Sequence, residues 1–299
     1  MTPPPMTPPP MTQEPKPRPP APTPLPHPVV DNHCHLDIGA GPHGGHLSVP
    51  EAIGLAADVG VPRIVQIGCD LDGARWAVET AERHPSIVAG VSLHPNEAPR
   101  LAAEGRLVEA LAVIEDLAHS PSVRAVGETG LDYFRTGTDG RAAQWDSFRA
   151  HIDIAKRLDK TLVIHDRDSH DDVLAIIDEV GPPDRWVMHC FSGDAAFAAR
   201  CADRGAYLSF AGPVTFKANH ALREALRVTP TDRILVETDA PYLTPMPFRG
   251  RPNASYLIPH TMAVMAEVLR TELRQMCVQV EANTFAAYAG EWAGAASPQ

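Results

Sequence analysis

From residue 29 onward the chain alternates short apolar runs with stretches of helical periodicity. The runs VVDNHCH at 29–35, RIVQIG at 63–68, IVAGVSL at 87–93 and VRAVGE at 123–128 read as strands, being short and rich in Val and Ile. TLVIH at 161–165, WVMH at 186–189, AYLSF at 206–210 and RILVETD at 233–239 continue the series. Between them, helices are predicted near 50–59, 72–84, 102–118, 141–158, 170–180, 194–203 and 218–227. Two more, at about 255–269 and 272–289, finish the chain. Short, wholly apolar strands suit a parallel sheet covered on both faces. Eight strand–helix units in about 270 residues predict an α/β chain, a single (β/α)8 TIM barrel with extra C-terminal helices. An open doubly wound sheet is the main competitor, but no GxGxxG follows the first strand, so a dinucleotide fold has no support.

Residues 1–28 break this pattern. The segment is half proline and nearly free of large apolar groups. It cannot build a helix or a central strand, and it is expected to be a disordered or polyproline-II tail preceding a single domain over 29–299. Its functional reading is a docking arm for a partner. Elsewhere, no apolar run approaches the roughly 20 residues of a membrane span, so no membrane association is expected. No apolar h-region marks the N-terminus as a secretory signal. The five cysteines are odd in number and form no CxxC pair, which argues against a disulfide framework and for a reducing cytoplasm. The net charge of -11 disfavours non-specific grip on long duplex nucleic acid. A phosphate-bearing substrate remains compatible, because local fields and metals outweigh the total.

The strand ends carry the chemistry. A strand repeats every two residues, so His33 and His35 share one face and Cys34 takes the other. An inward HxH pair places two imidazoles on one ion. Glu128 ends the fourth run, and a carboxylate in apolar surroundings calls for a partner or a metal. Its two oxygens suit a bridge between two ions; the bland readings are a helix-start carboxylate or an ordinary ion pair. His165 and His189 end the fifth and sixth runs as ligand candidates, or as core histidines bonded to carbonyls. Asp239 closes the eighth as a ligand able to take a proton from water, and Glu237 shares its face, supporting the site from below. Asp132 either steadies the site or simply shapes its loop. His94 ends the third run, as a donor to an anionic substrate oxygen or as a loop anchor before Pro95. Arg135, Arg167, Lys217 and Arg249 fall in loops on the same predicted face, as phosphate contacts or as solvated charges. Tyr133, Phe191, Phe210 and Tyr242 also lie near strand ends, for base stacking or for packing. Mixed nitrogen and oxygen donors exclude a Cys-rich structural zinc module and leave the metal open.

DNHCHLD at 31–37, SLHPN at 92–96, VGETGLDY at 126–133, VIHDRD at 163–168, HCFSG at 189–193 and ETDAPYL at 237–243 occur in an order that resembles the TatD family of metal-dependent hydrolases. These are amidohydrolase-like TIM barrels, and the likeness covers essentially 29–289. It implies two divalent metal ions (Mg, Mn or Zn): His33 and His35 on one, His165 and His189 on the other, Glu128 bridging, and Asp239 as a ligand that handles the proton of the nucleophilic water. It also implies a deoxyribonuclease acting on strand ends, of the 3′–5′ exonuclease type, through a metal-activated hydroxide. Nucleic acid is then the partner, as substrate. The segment SLHPN departs from the usual GIHPH form: His94 is kept, but Asn96 stands where the family has a second His. Hydrolysis of another ester or amide, such as a D-aminoacyl-tRNA or a small ester or lactone, is the alternative. A noncatalytic binding barrel is a third reading, opposed by the intact set of ligand candidates.

Overall fold

The computed structural model describes residues 17–39 and 47–296. Eight parallel strands lie side by side in chain order: β1 (Val30–Cys34), β2 (Arg63–Gly68), β3 (Ile87–Val91), β4 (Val123–Asp132), β5 (Thr161–Arg167), β6 (Trp186–Met188), β7 (Tyr207–Phe210) and β8 (Ile234–Val236). Just past the end of β8 the barrel closes on β1: the His35 amide donates to the Ala240 carbonyl at 2.8 Å and the Asp239 amide to the His33 carbonyl at 3.0 Å. Around the barrel run α1 (Val49–Asp58), α2 (Leu71–Arg83), α3 (Glu97–Ala103), α4 (Leu107–Ala118), α5 (Thr138–Arg157), α6 (His170–Val180), α7 (Ala195–Ala202) and α8 (His220–Val228), followed by α9 (Ile258–Leu269) and α10 (Leu273–Ala287). This is the (β/α)8 barrel with extra C-terminal helices that the alternating pattern predicts.

Two apolar layers hold it. A large one lies between strands and helices. A smaller one fills the barrel, with Val30, Val65, Val88, Ala125, Val163, Val187, Tyr207 and Leu235 each from a different strand. Tyr288 and Trp292 join that inner layer and plug the barrel from below. Carbonyls of Tyr288 and Ala289 accept from Arg124 and the Trp292 indole donates to the Ser86 carbonyl at 3.2 Å, which fixes the plug to the strand starts. Moving two residues up the inward face changes Val163 to His165, Val187 to His189 and Leu235 to Glu237. Apolar packing thus ends where the polar side chains begin, at the C-terminal mouth where barrels of this kind build their sites.

Three expectations need correction. The helix predicted at 102–118 is two helices, α3 and α4, because Gly105 takes φ +70 and breaks the first. Strand β4 runs on to Asp132 instead of ending at Glu128, and stays paired with β5 as far as Arg167. The disordered tail expected over 1–28 does not extend over 17–28. Prolines donate no amide hydrogen bond, yet their carbonyls accept: Tyr256 Oη donates to the Pro19 carbonyl at 2.6 Å and Arg274 to the Pro26 carbonyl at 2.7 Å. Leu25 is buried, and its amide donates to the Val59 carbonyl at 3.0 Å. Residues 1–16, the rest of that expectation, lie outside the described residues.

One local choice is open to improvement. Gly54 sits inside α1, and a Cβ added there meets nothing within 4 Å among the described residues. Gly54→Ala is expected to stabilise the fold by about 0.5–1 kcal/mol through reduced chain entropy. Thermal unfolding checks this; a midpoint at or below that of the parent chain refutes it.

Candidate metal centre

Glu128 organises the mouth of the barrel. Its Oε2 faces the HxH pair, 3.4 Å from His33 Nε2 and 3.7 Å from His35 Nε2. Its Oε1 faces the other side, 2.6 Å from His165 Nδ1, 2.8 Å from His189 Nε2 and 3.4 Å from His94 Nε2. Asp239 joins the HxH side, with Oδ1 3.4 Å from His35 Nε2 and 3.9 Å from His33 Nε2. Its backbone takes φ +51, a left-handed conformation that Asp tolerates better than most side chains, and this turns the carboxylate inward at the end of β8. Among the described residues, three groups have ligand-type atoms that all lie within 4.8 Å of one another: His33–His35–Glu128, His33–His189–Glu237 and His94–Glu128–His165.

Hydrogen bonds behind the rings set which nitrogen faces the centre. His35 Nδ1 lies 3.0 Å from the Ile67 carbonyl, so it carries the proton and leaves the Nε2 lone pair for a cation. His189 Nδ1 does the same against Glu237 Oε1 at 3.3 Å. His94 is reversed: its Nδ1 accepts the Asn96 amide at 3.1 Å, so the proton sits on Nε2. That makes His94 a hydrogen-bond donor toward the centre rather than a ligand. His33 is fully buried, and neither of its ring nitrogens has a hydrogen-bond partner among the described residues. A buried imidazole without partners is costly, and it packs 3.9 Å from the His189 ring. Two orphaned nitrogens beside a carboxylate, amid nitrogen and oxygen donors, fit divalent cations.

The charge pattern divides the rings: against burial, Cys69 and Asp239 hold His35 well above the ordinary imidazole range and Glu128 and Glu237 do the same to His189, so a proton competes with a cation there. Burial raises the Glu128 pKa, but His189 and His94 around it win and hold the carboxylate well below its ordinary range. Burial, reinforced by His189, carries His33 down to about 3, so its ring is neutral and its lone pair available. Glu237 is pushed up to about 7 by burial, against the pull of His189. Asp132 goes the other way: burial is outweighed by His165 and by the Arg135 amide, which bring it to about 2.

Asp132 both shapes its loop and touches the centre. Its Oδ1 accepts the Arg135 amide at 2.8 Å while Oδ2 lies 3.5 Å from His165 Nε2. Asn96 spans the gap, donating to Asp132 Oδ2 at 3.4 Å. All four cations lie at the same end, outside the cluster of imidazoles: Arg135, Lys217 and Arg249 on loops, and Arg167, expected in a loop, as the last residue of β5. Arg135 and Lys217 are exposed. Arg167 stacks over the Phe134 ring at 3.9 Å and Arg249 over Phe216 at 4.4 Å.

Several residues went unnoticed in the sequence. Cys69 Sγ donates to Glu128 Oε2 at 3.5 Å and lies 3.8 Å from His35 Nδ1. It follows the run RIVQIG, so the rule that found the histidines also reaches it. Asp31 accepts from the Thr238 amide and hydroxyl at 2.9 and 2.6 Å, and Asn32 donates to the Val236 carbonyl at 2.6 Å. These bonds tie the first motif to the last and hold His33, His35 and Asp239 in register. His151, on α5, accepts the Leu93 amide at Nε2 (3.1 Å) and so holds the loop that carries His94.

His151 also gives a pH dependence. Burial lowers its pKa to about 4, against the opposing bond to the Ser147 carbonyl. The unfolded chain binds this proton more tightly, with a pKa near 6.5. Its stability contribution is therefore complete above about pH 6.5 and is lost as pH falls toward about 4, on the order of 3 kcal/mol in all. His151→Gln keeps an acceptor for Leu93 but does not titrate. Denaturant unfolding across this range should show a shallower acid decline for the variant; parallel profiles would refute the assignment.

A family described as TatD related DNase matches residues 30–289. A metal-dependent hydrolase, TatD, of Mycobacterium tuberculosis is 40% identical over 268 residues, covering 88% of this chain and 99% of the relative. The Escherichia coli K12 metal-dependent hydrolase YcfH is 35% identical over 260 residues, covering 86% and 94%. Among solved structures, the TatD homolog YJJV of Escherichia coli K12 superposes with a TM-score of 0.77 at 26% identity, covering 88% of this chain and 98% of that one. With these likenesses and a cluster of His and Glu donors at the barrel mouth, the chain belongs to the TatD-like family of metal-dependent hydrolases.

Proposed function

We propose that this protein is a divalent-metal-dependent deoxyribonuclease that removes nucleotides from the 3′ end of a single strand. The observation that carries the reading is Glu128, whose two oxygens face two separate sets of imidazoles. The DNase description of the matching family supports the substrate class. In this reading His33, His35 and Asp239 would hold one ion, His165 and His189 would hold a second, and Glu128 would serve both with its two oxygens. When bound, such ions polarise a phosphoryl oxygen and make water a nucleophile near neutral pH.

The chain supplies the rest. Asp239, half-buried beside His35, accepts the proton of the attacking water. His94 presents Nε2–H where charge develops on oxygen, held in that tautomer by the Asn96 amide. Arg135, Arg167, Lys217 and Arg249 ring the mouth as contacts for strand phosphates. A pocket at the mouth of a barrel admits a strand end more readily than an intact duplex, and the acidic chain has little general attraction for duplex.

The test compares single strands with free and blocked 3′ ends, with Mg or Mn added, beside a panel of carboxyl esters. Metal-dependent shortening of the free-ended strand alone is expected. Loss of neither strand, with turnover of an ester, would replace this reading by a small-ester hydrolase.

A further inference from the structure

Among the described residues, five large hydrophobic side chains are markedly exposed: Val108, Phe134, Val228, Tyr242 and Val278. The three valines lie on or at the end of outer helices. The two aromatics both lie at the metal end of the barrel, on opposite sides of it. Phe134 is 64% exposed and follows Asp132, whose carboxylate reaches His165 at 3.5 Å. Tyr242 is 51% exposed, with its ring centroid 6.4 Å from that of His35. Tyr242 thus stands beside the HxH side of Glu128, and Phe134 lies just past the end of β4, against Arg167 at the end of β5.

Neither ring sits on a loosely held backbone. The Tyr133 amide donates to the Arg167 carbonyl at 2.9 Å and the Arg135 amide to Asp132, which brackets Phe134. The Tyr242 amide donates to the Asp239 carbonyl at 2.9 Å, and its carbonyl accepts from Asn253. The backbone is fixed and the ring is offered to solvent. The other aromatics near the strand ends are already engaged: Phe191 and Phe210 are buried, and Tyr133 donates to Asp172 while Arg141 covers its ring. Phe134 has one face against the Arg167 guanidinium at 3.9 Å, which leaves a flat apolar surface beside a fixed positive charge.

A flat ring paired with a cation, next to a centre that faces phosphate, matches an unstacked nucleotide: the base lies on the ring and the phosphate meets the charge. We propose that Phe134 and Tyr242 are the base-stacking surfaces of this site, one on each side of the scissile phosphate, and that Arg167 serves as the phosphate partner of the Phe134 surface. This rests on the nucleic-acid reading above. It also names a preference: single-stranded ends whose last two nucleotides carry bases, over the same strand with abasic sugars there.

The test uses the full chain and an oligonucleotide with 2-aminopurine as the 3′-terminal base, a fluorophore quenched on stacking. Binding is followed in chelator and turnover with Mn. The parent protein should quench the probe and should bind the abasic-ended strand about 10-fold more weakly. Phe134→Ala and Tyr242→Ala should each raise KM on the natural strand by about 10-fold, with a smaller penalty on the abasic one. Phe134→Tyr and Tyr242→Phe, which keep a ring, should restore binding. If the parent degrades single strands but both alanine variants match it in KM and quenching, the stacking proposal is wrong and the nuclease reading stands. If the parent degrades no nucleic acid in any metal, the nuclease reading falls; absence of quenching then removes the stacking proposal too.

Discussion

A Glu128→Gln variant is expected to lose most of its bound metal and about three decades of turnover, the largest effect of any single side chain at the centre. The amide keeps the size of the carboxylate but offers only one oxygen, and its NH2 would point at imidazole lone pairs or at a cation. In the parent, Oε2 serves the His33 and His35 side and Oε1 the His165 and His189 side, so either orientation of the amide spoils one of them. A charge stabilisation of about 4 kcal/mol lost in the transition state corresponds to about 10³-fold in rate. Glu128→Ala should behave alike, which separates loss of the bridge from mere crowding by the new NH2. Metal content by mass spectrometry, read together with turnover on a free-ended single strand, decides the matter. A variant that keeps the parent's metal stoichiometry and rate would show that Glu128 does not bridge.

The reason this centre could be found in the sequence is geometric. A strand inside a barrel alternates inward and outward, so an apolar inward residue is followed two positions later by whatever the mouth needs. Val163 predicts the direction of His165 in this way, and Val187 that of His189. Features that depend on contacts between segments were out of reach. The bond from the Leu93 amide to His151, which holds the loop of His94, joins residues 58 apart in the chain. The continuation of β4 to Asp132 carries it past Gly127 and Gly130 and rests on pairing with β5 across them. The order of residues 17–28 depends on donors from Tyr256 and Arg274, more than 200 residues away. Phe134 was passed over because exposure of a ring beside a buried cluster is a property of the folded surface and leaves no pattern along the chain.

Those glycines lead to the second large effect. Gly130→Ala is expected to destabilise the fold by about 3 kcal/mol or more, lowering the melting temperature by about 10 °C. Gly130 takes φ +132, outside what an L side chain readily adopts, and a Cβ built there falls 2.1 Å from the His165 carbonyl oxygen and 3.1 Å from its carbonyl carbon. These are backbone atoms of the strand paired with β4, so no side chain can rotate away. Relief requires β4 and β5 to separate by about 1 Å before the contact is tolerable. That displacement moves His165 away from Glu128, and a misplacement of about 1 Å at a reacting centre costs about 100-fold in rate. One substitution therefore carries two readouts that share one cause, a fall in melting temperature and a fall in metal occupancy. Gly137→Ala is the control: its φ is -67 and an added Cβ meets nothing within 4 Å, so both readouts should stay near the parent values. If Gly130→Ala melts like the Gly137→Ala control and binds metal in full, then close approach of β4 to β5 is not what sets the distance between Glu128 and His165.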